Sequence, residues 1–398
     1  MITPSRLAVW LIGLGLVGAA ACTVVVPGAA PTEAPDADRP ATSATAAIVP
    51  DDRPSFSTAG WKTDFNKHKV PYSQIISGGV PRDGIPPVYK PKFEDVGEAG
   101  SWLAAEEPVV AFESKEDARA YPLRILLWHE IVNDSVGGIP VAITYCPLCN
   151  TAVVFDRRLE GQTLVFGVSG MLRNSDLIMW DHQTESWWQQ ATGEAIVGEH
   201  SGRLLGFLPS SIVSWEDFKA TYPQGRVLSQ DTGYGRPYGT NPYVGYDSSV
   251  RPFLFTGEVD NRLPALERVI GMTTEGQSVA YPFSLLAEVG AVNDTLAGRP
   301  LVVFYDRGTV SPLDQSNISK SRAAGAAAVY DPRVNGETLV FDWRDGRILD
   351  RKTSSTWSVL GKAVEGPLEG RSLKPVVHGT HFWFAWAAFN PDTRLYGR

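Results

Sequence analysis

The amino-acid sequence predicts a β-rich α+β fold made of two internally repeated, mostly antiparallel β halves with short helices. Three observations carry this. Short β-branched runs alternate with Gly, Asn and Asp turn signals along most of the chain. Helical signals are few and brief. Segments of the first half also return, in order, in the second. Ala120-Tyr121-Pro122-Leu123 recurs as Ala280-Tyr281-Pro282-Phe283, and Val132-Asn133-Asp134 as Val292-Asn293-Asp294. Gly161 with Thr163-Leu164-Val165-Phe166 matches Gly336 with Thr338-Leu339-Val340-Phe341, and Trp188 aligns with Trp357. Ordered matches of this kind define a repeat.

The N-terminal segment reads as an export signal. Arg6 supplies a positive start, residues 7–17 an apolar core, and Ala19-Ala20-Ala21 small residues before Cys22. The apolar stretch is too short for a comfortable membrane span. Residues 1–22 therefore read as a lipoprotein-type signal peptide with Cys22 as the lipidated residue. The alternative is a plain cleaved signal with an incidental cysteine. Residues 23–55, rich in Ala, Pro and Thr, read as a flexible tether. Residues 60–255 make the first repeat half and residues 256–398 the second. The expected location is the cell envelope, on the extracytoplasmic side, with the membrane reached through the N-terminal lipid.

Within the first half, residues 139–145 read as a strand. Residues 151–156 and 162–168 read as one hairpin around Glu160-Gly161; its counterpart turns at Asn335-Gly336, a strong two-residue turn signal. Short helices are expected at 122–131 and 282–291, each opening on Pro, and near 214–220. Asp181 and its counterpart Asp350 read as turn residues, and Trp188 as core. Residues 230–247, rich in Gly and Tyr, read as a long surface loop of the kind that carries function.

The chain has 398 residues, a net charge of -8 and no basic block, so it has no electrostatic footprint for nucleic acid. Three cysteines exclude a disulfide scaffold. With Cys22 assigned to lipid, Cys146-Pro147-Leu148-Cys149 remains. A close cysteine pair in an oxidising compartment is a disulfide or a metal site. The residues after Cys149 favour a strand, whereas a thioredoxin-like CxxC caps a helix. The loop therefore looks like a metal knuckle, with Asn150 at a position that takes positive φ.

A knuckle supplies two ligands, and a structural zinc site needs four. His129, in Trp128-His129-Glu130-Ile131, is the leading third ligand; its alternative role is a buried, hydrogen-bonded histidine. In the repeat, Cys146 aligns with Asp306, Cys149 with Thr309 and His129 with Val289, as a site confined to one half would give. Met171, His378 and His381 are further ligand candidates, with core packing and capping of Phe382-Trp383-Phe384 as the competing readings. Arg173-Asn174-Ser175-Asp176 follows a strand and could hold an anionic or polar ligand near the thiols.

Trp128-His129-Glu130-Ile131-Val132-Asn133-Asp134, Thr144-Tyr145-Cys146-Pro147-Leu148-Cys149-Asn150-Thr151, Phe166-Gly167-Val168-Ser169-Gly170 and Phe382-Trp383-Phe384-Ala385-Trp386 together resemble a bacterial and archaeal exported family. It is catalogued as domain of unknown function 3179. The resemblance covers roughly residues 70–398, and the CPLC segment is its most specific element. Asn150 stands where Gly is more usual in that family. The resemblance implies export and unity of fold, and it brings no activity.

The expected function is an extracytoplasmic, lipid-anchored metal-binding protein carrying one metal ion, with copper favoured over zinc or iron. An open coordination position would make it an oxidoreductase. One alternative is a metal-free thiol–disulfide oxidoreductase. The other is a ligand-binding module whose CxxC is a structural disulfide. The expected partner is a small molecule or another envelope protein.

Overall fold

The computed structural model describes residues 52–397. The expected signal peptide, Cys22 and the expected tether up to residue 51 lie outside the described residues. Each half starts from an antiparallel hairpin that feeds a short helix. Pro108–Ser114 pairs with Asp117–Pro122, and Arg268–Thr274 pairs with Gln277–Pro282. The helices Leu123–His129 and Phe283–Val289 follow at once. Pro122 and Pro282 are extended N-cap residues, so each helix starts one position later than the sequence suggests. A fixed φ and a missing N–H suit that junction.

A three-stranded meander comes next. It comprises Ile131–Val136, Ile139–Cys146 and Thr151–Asp156 in the first half, and Ala291–Leu296, Arg299–Asp306 and Ala326–Asp331 in the second. The strands Phe166–Arg173, Asp176–Asp181, Trp187–Gln189 and Ala195–Val197 then form an antiparallel run; Phe341–Arg344, Arg347–Asp350, Thr356–Trp357 and Ala363–Glu365 form another. Short helices Trp215–Thr221 and Trp383–Phe389 follow, the first capped by Ser214, which accepts from Asp217 N–H. The fold is thus β-rich, mostly antiparallel and sparing in helix.

The matched residues make matched hydrogen bonds. Asn133 clamps the backbone of Phe166, donating to its carbonyl and accepting from its N–H, both at 2.8 Å. Asn293 clamps Phe341 in the same way at 2.8 and 2.9 Å. Tyr121 donates to Asp134 as Tyr281 does to Asp294. Trp188 Nε1 donates to Asp181 at 2.9 Å, and Trp357 Nε1 to Asp350 at 3.1 Å.

One sequence expectation is corrected. The turn at Glu160-Gly161 exists, with φ of 49° and 84°, but it joins only the two-residue strands Arg158–Leu159 and Gln162–Thr163. Thr151–Asp156 pairs with Ile139–Cys146, and Phe166–Arg173 enters another sheet. Buried Arg157 explains the break. It donates to the carbonyls of Val141, Leu164 and Asp134, so the chain is pinned on both sides of the small hairpin.

The halves share a sheet. Gly379–Phe382 of the second half joins Thr151–Asp156 of the first, with Thr380 opposite Ala152. One buried cluster mixes Val109, Trp215 and Phe218 with Phe304, Tyr330 and Trp357. Residues 230–247 hold no strand, as expected, yet the loop does not simply lie on the surface. Asp247 is buried and paired with Arg268 at 2.8 Å and Arg322 at 3.0 Å. Among the described residues no helix is long and apolar enough to cross a membrane.

The Asn133 clamp yields a stability test. Asn133→Leu leaves a buried N–H and a carbonyl of Phe166 unpaired, at roughly 1–3 kcal/mol each. Urea unfolding should show a loss of about 2–6 kcal/mol. Asn293→Leu, at an exposed position, should cost clearly less.

Candidate metal centre

Two hairpin tips meet to form the site. Ile139–Cys146 and Thr151–Asp156 are joined by residues 147–150, with Cys146 opposite Thr151. Asn150 has φ 49°, as its place in the sequence suggests, and its Oδ1 accepts from Tyr145 OH at 2.9 Å. A strand follows, so no helix N-terminus faces the thiols. The second tip is the Asn174-Ser175 turn between Phe166–Arg173 and Asp176–Asp181, with φ of 52° and 63°. Two consecutive positive φ values fit a tight two-residue hairpin.

This packing sets Asp176 against the cysteines. Cys149 Sγ donates to Asp176 Oδ1 at 2.9 Å, and Cys146 Sγ lies 3.7 Å from the carbonyl of Ser175. Both sulfurs and an Asp176 oxygen lie within 4.8 Å of one another, and all three residues are buried. Both cysteines are free thiols. The second oxygen of Asp176 accepts from Gln189 Nε2 at 2.6 Å and Ala191 N–H at 2.8 Å. Burial still pushes the Asp176 carboxyl up to about 6. Burial likewise raises both thiols, Cys149 further through its neighbours Cys146 and Asp176.

Glu130 is a fourth acidic group, and the sequence reading passed over it. It ends the helix Leu123–His129 at φ 57° and ψ -33°. The second half has Gly290 in that place, at φ 69° and ψ -34°. A side chain in such backbone costs about 1–3 kcal/mol and points to a function. The Glu130 carbonyl accepts from Tyr145 N–H at 2.8 Å, beside the residue that precedes Cys146. Its carboxyl, buried and near Asp176, is pushed up to about 8. It makes no hydrogen bond or ion pair among the described residues. The Glu130–Gly290 alignment was the signal that could have found it.

Residues 241–253 close over the tips. Tyr246 OH donates to the Leu148 carbonyl at 2.7 Å, and Ser175 Oγ to the Phe253 carbonyl at 2.5 Å. The Tyr243 phenol is pushed up by burial and by Glu130.

Several sequence candidates sit elsewhere. His129 is not brought into the ligand group, because both ring nitrogens are engaged: Nδ1 with the Pro86 carbonyl and Nε2 with Tyr238 OH, each at 2.6 Å. It is the buried, hydrogen-bonded histidine, and Asp176 is the residue that lies beside the two thiols. Met171 packs on the Ile75, Trp180 and Trp187 cluster. His378 and His381 line a different cavity. The Arg173–Asp176 group divides. Ser175 and Asp176 face the thiols, Asn174 shapes the turn, and Arg173 reaches Gln74 at 2.8 Å while packing on Phe389.

The Glu130 carboxyl makes stability depend on pH. Its folded value, about 8, lies above the ordinary value of 4.5. The folded state therefore binds a proton that the unfolded state releases, and stability falls as pH rises from about 4.5 through about 8. Thermal melts of metal-free protein should decline across that window, and Glu130→Gln should flatten much of the slope. An unchanged slope in Glu130→Gln would assign it to other groups.

The family described as protein of unknown function (DUF3179) matches residues 82–393. No curated protein and no solved structure matches the chain. The matched span reaches into both halves and includes every residue of the thiol–carboxyl cluster. On that span, well over half its length, the chain belongs to the DUF3179 family.

Proposed function

We propose that this is an extracytoplasmic metal-binding protein, tethered to the membrane by lipid at Cys22, in which Cys146, Cys149 and Asp176 hold one metal ion. The observation that carries the reading is the convergence of two sulfurs and a carboxylate oxygen within 4.8 Å, all buried. Among the described residues no basic side chain is hydrogen-bonded to the two thiols and two carboxyls, and Arg173 acts on Asp176 only through its charge, so a cation would relieve the cost of charging these buried groups.

The donor set orders the metals. Copper leads while imidazole and thioether are the expected partners of the thiols. A carboxylate is a hard ligand, and zinc accepts sulfur and oxygen together, so zinc moves ahead of copper, with iron next. Three protein ligands is also the count found where a coordination position stays open. Bound zinc would supply Lewis acidity. Glu130 would then hold or take up a proton beside it.

A metal-free dithiol is less well supported. Reactive cysteines have lowered thiol pKa values near a cation or a helix N-terminus. Here burial raises both.

Elemental analysis and thiol counting on protein purified from the envelope test the proposal. About one ion per chain is expected. It should vanish in Cys146→Ser/Cys149→Ser, and Asp176→Asn should weaken binding at least about tenfold. Cys22→Ala should release the protein from membranes. No metal, together with no free thiol before reduction, would leave the disulfide reading in its place.

A further inference from the structure

A cavity of about 330 Å³ lies beside the seam where the two halves share a sheet. Val153, Leu205 and Phe207 come from the first half; Met272, His381 and Trp386 come from the second. Among the described residues no Asp, Glu, Lys or Arg lines it. Its size falls at the lower end of small-molecule sites, roughly 300–1,000 Å³.

His381 supplies the polar point. The residue is 4% exposed. Its Nδ1 lies 2.9 Å from Thr151 Oγ1, and its Nε2 has no partner among the described residues. The other polar groups of the wall are engaged. His378 Nδ1 donates to the Val376 carbonyl at 2.7 Å, and its Nε2 lies 3.3 Å from Ser211 Oγ. Trp386 Nε1 donates to Thr393 at 3.0 Å. Gly379 keeps the free nitrogen clear: a Cβ there would lie 2.5 Å from His381 Nε2. Burial holds both imidazoles neutral, His378 near 4 and His381 near 3. The Trp386 ring stands 5.0 Å from that of His381.

We propose that this cavity is a second binding site, for an uncharged aromatic molecule of one or two rings that makes a single hydrogen bond to His381 Nε2. A charged ligand would find no counter-ion in the wall. An aliphatic one would leave the nitrogen unpaired, and a buried polar group without a partner is costly. Flat rings match the Phe207 and Trp386 walls. The site is separate from the thiols but adjoins them. Thr151 Oγ1 is also within 3.3 Å of the Cys149 carbonyl, and the N–H of wall residue Ala191 donates to Asp176.

Titration calorimetry with 2-naphthol and naphthalene on the full chain tests this. Wild type should bind 2-naphthol saturably, one per chain, and naphthalene more weakly. His381→Phe keeps a ring but removes the nitrogen. It should weaken 2-naphthol about tenfold and leave naphthalene unchanged. Thr192→Trp, at a part-exposed wall position, should remove binding of both while leaving metal content as in wild type. If His381→Phe does not fold, Thr192→Trp decides alone. Absence of saturable 2-naphthol binding by folded wild type, or binding that survives Thr192→Trp, would overturn the proposal.

Discussion

The contact between Cys149 and Asp176 joins two hairpin tips that are distant in sequence, and much of the first half is arranged to hold it. The Asn133 clamp fixes Phe166 at the start of the strand that leads to the Asp176 turn. Arg157 pins the chain between the two tips. Tyr145 fixes Asn150, which lets the cysteine loop reverse. Each of these bonds is satisfied within the framework, so the acidic groups can be concentrated at one place without unpaired backbone around them.

Legibility in the sequence follows the range of each interaction. The cysteine loop, its flanking strands and the positive φ at Asn150 are local, and they could be read directly. The matched Asn133 and Asn293, or Asp181 and Asp350, show up as repeated residues because each half needs the same hydrogen bond. The sequence places Asp176 in a polar turn near the thiols but does not reveal its direct contact with Cys149, which depends on how two hairpins pack. His129 misleads for the converse reason. It is close to Cys146 along the chain, yet helix and sheet geometry direct its ring to Pro86 and Tyr238. The long hairpin expected at 151–168 fails because alternation alone does not reveal the buried arginine that divides it.

The two halves share a framework but not a chemistry. Glu130 occupies a backbone position that Gly290 fills in the second half without strain. The second half instead supplies structure around the first half's site. Arg268 and Arg322 receive Asp247, and Gly379–Phe382 completes the sheet next to the cysteine strand. The first half concentrates the acidic groups and covers them with residues 241–253, and the second half anchors that cover through Arg268 and Arg322.

If the cluster holds an ion as proposed, the closure by residues 241–253 would separate how tightly the ion is held from how fast it exchanges. Cys149 and Asp176 are fully enclosed, so an ion bound there would reach them only if the covering chain moved aside. Its fastenings include two hydrogen bonds to the tips and the ion pairs of Asp247, none of them part of a β-ladder. Lifting it leaves the sheets intact and is a local opening, far less costly than global unfolding. Residence time of such an ion would then follow the covering segment, while its affinity would follow the buried donors.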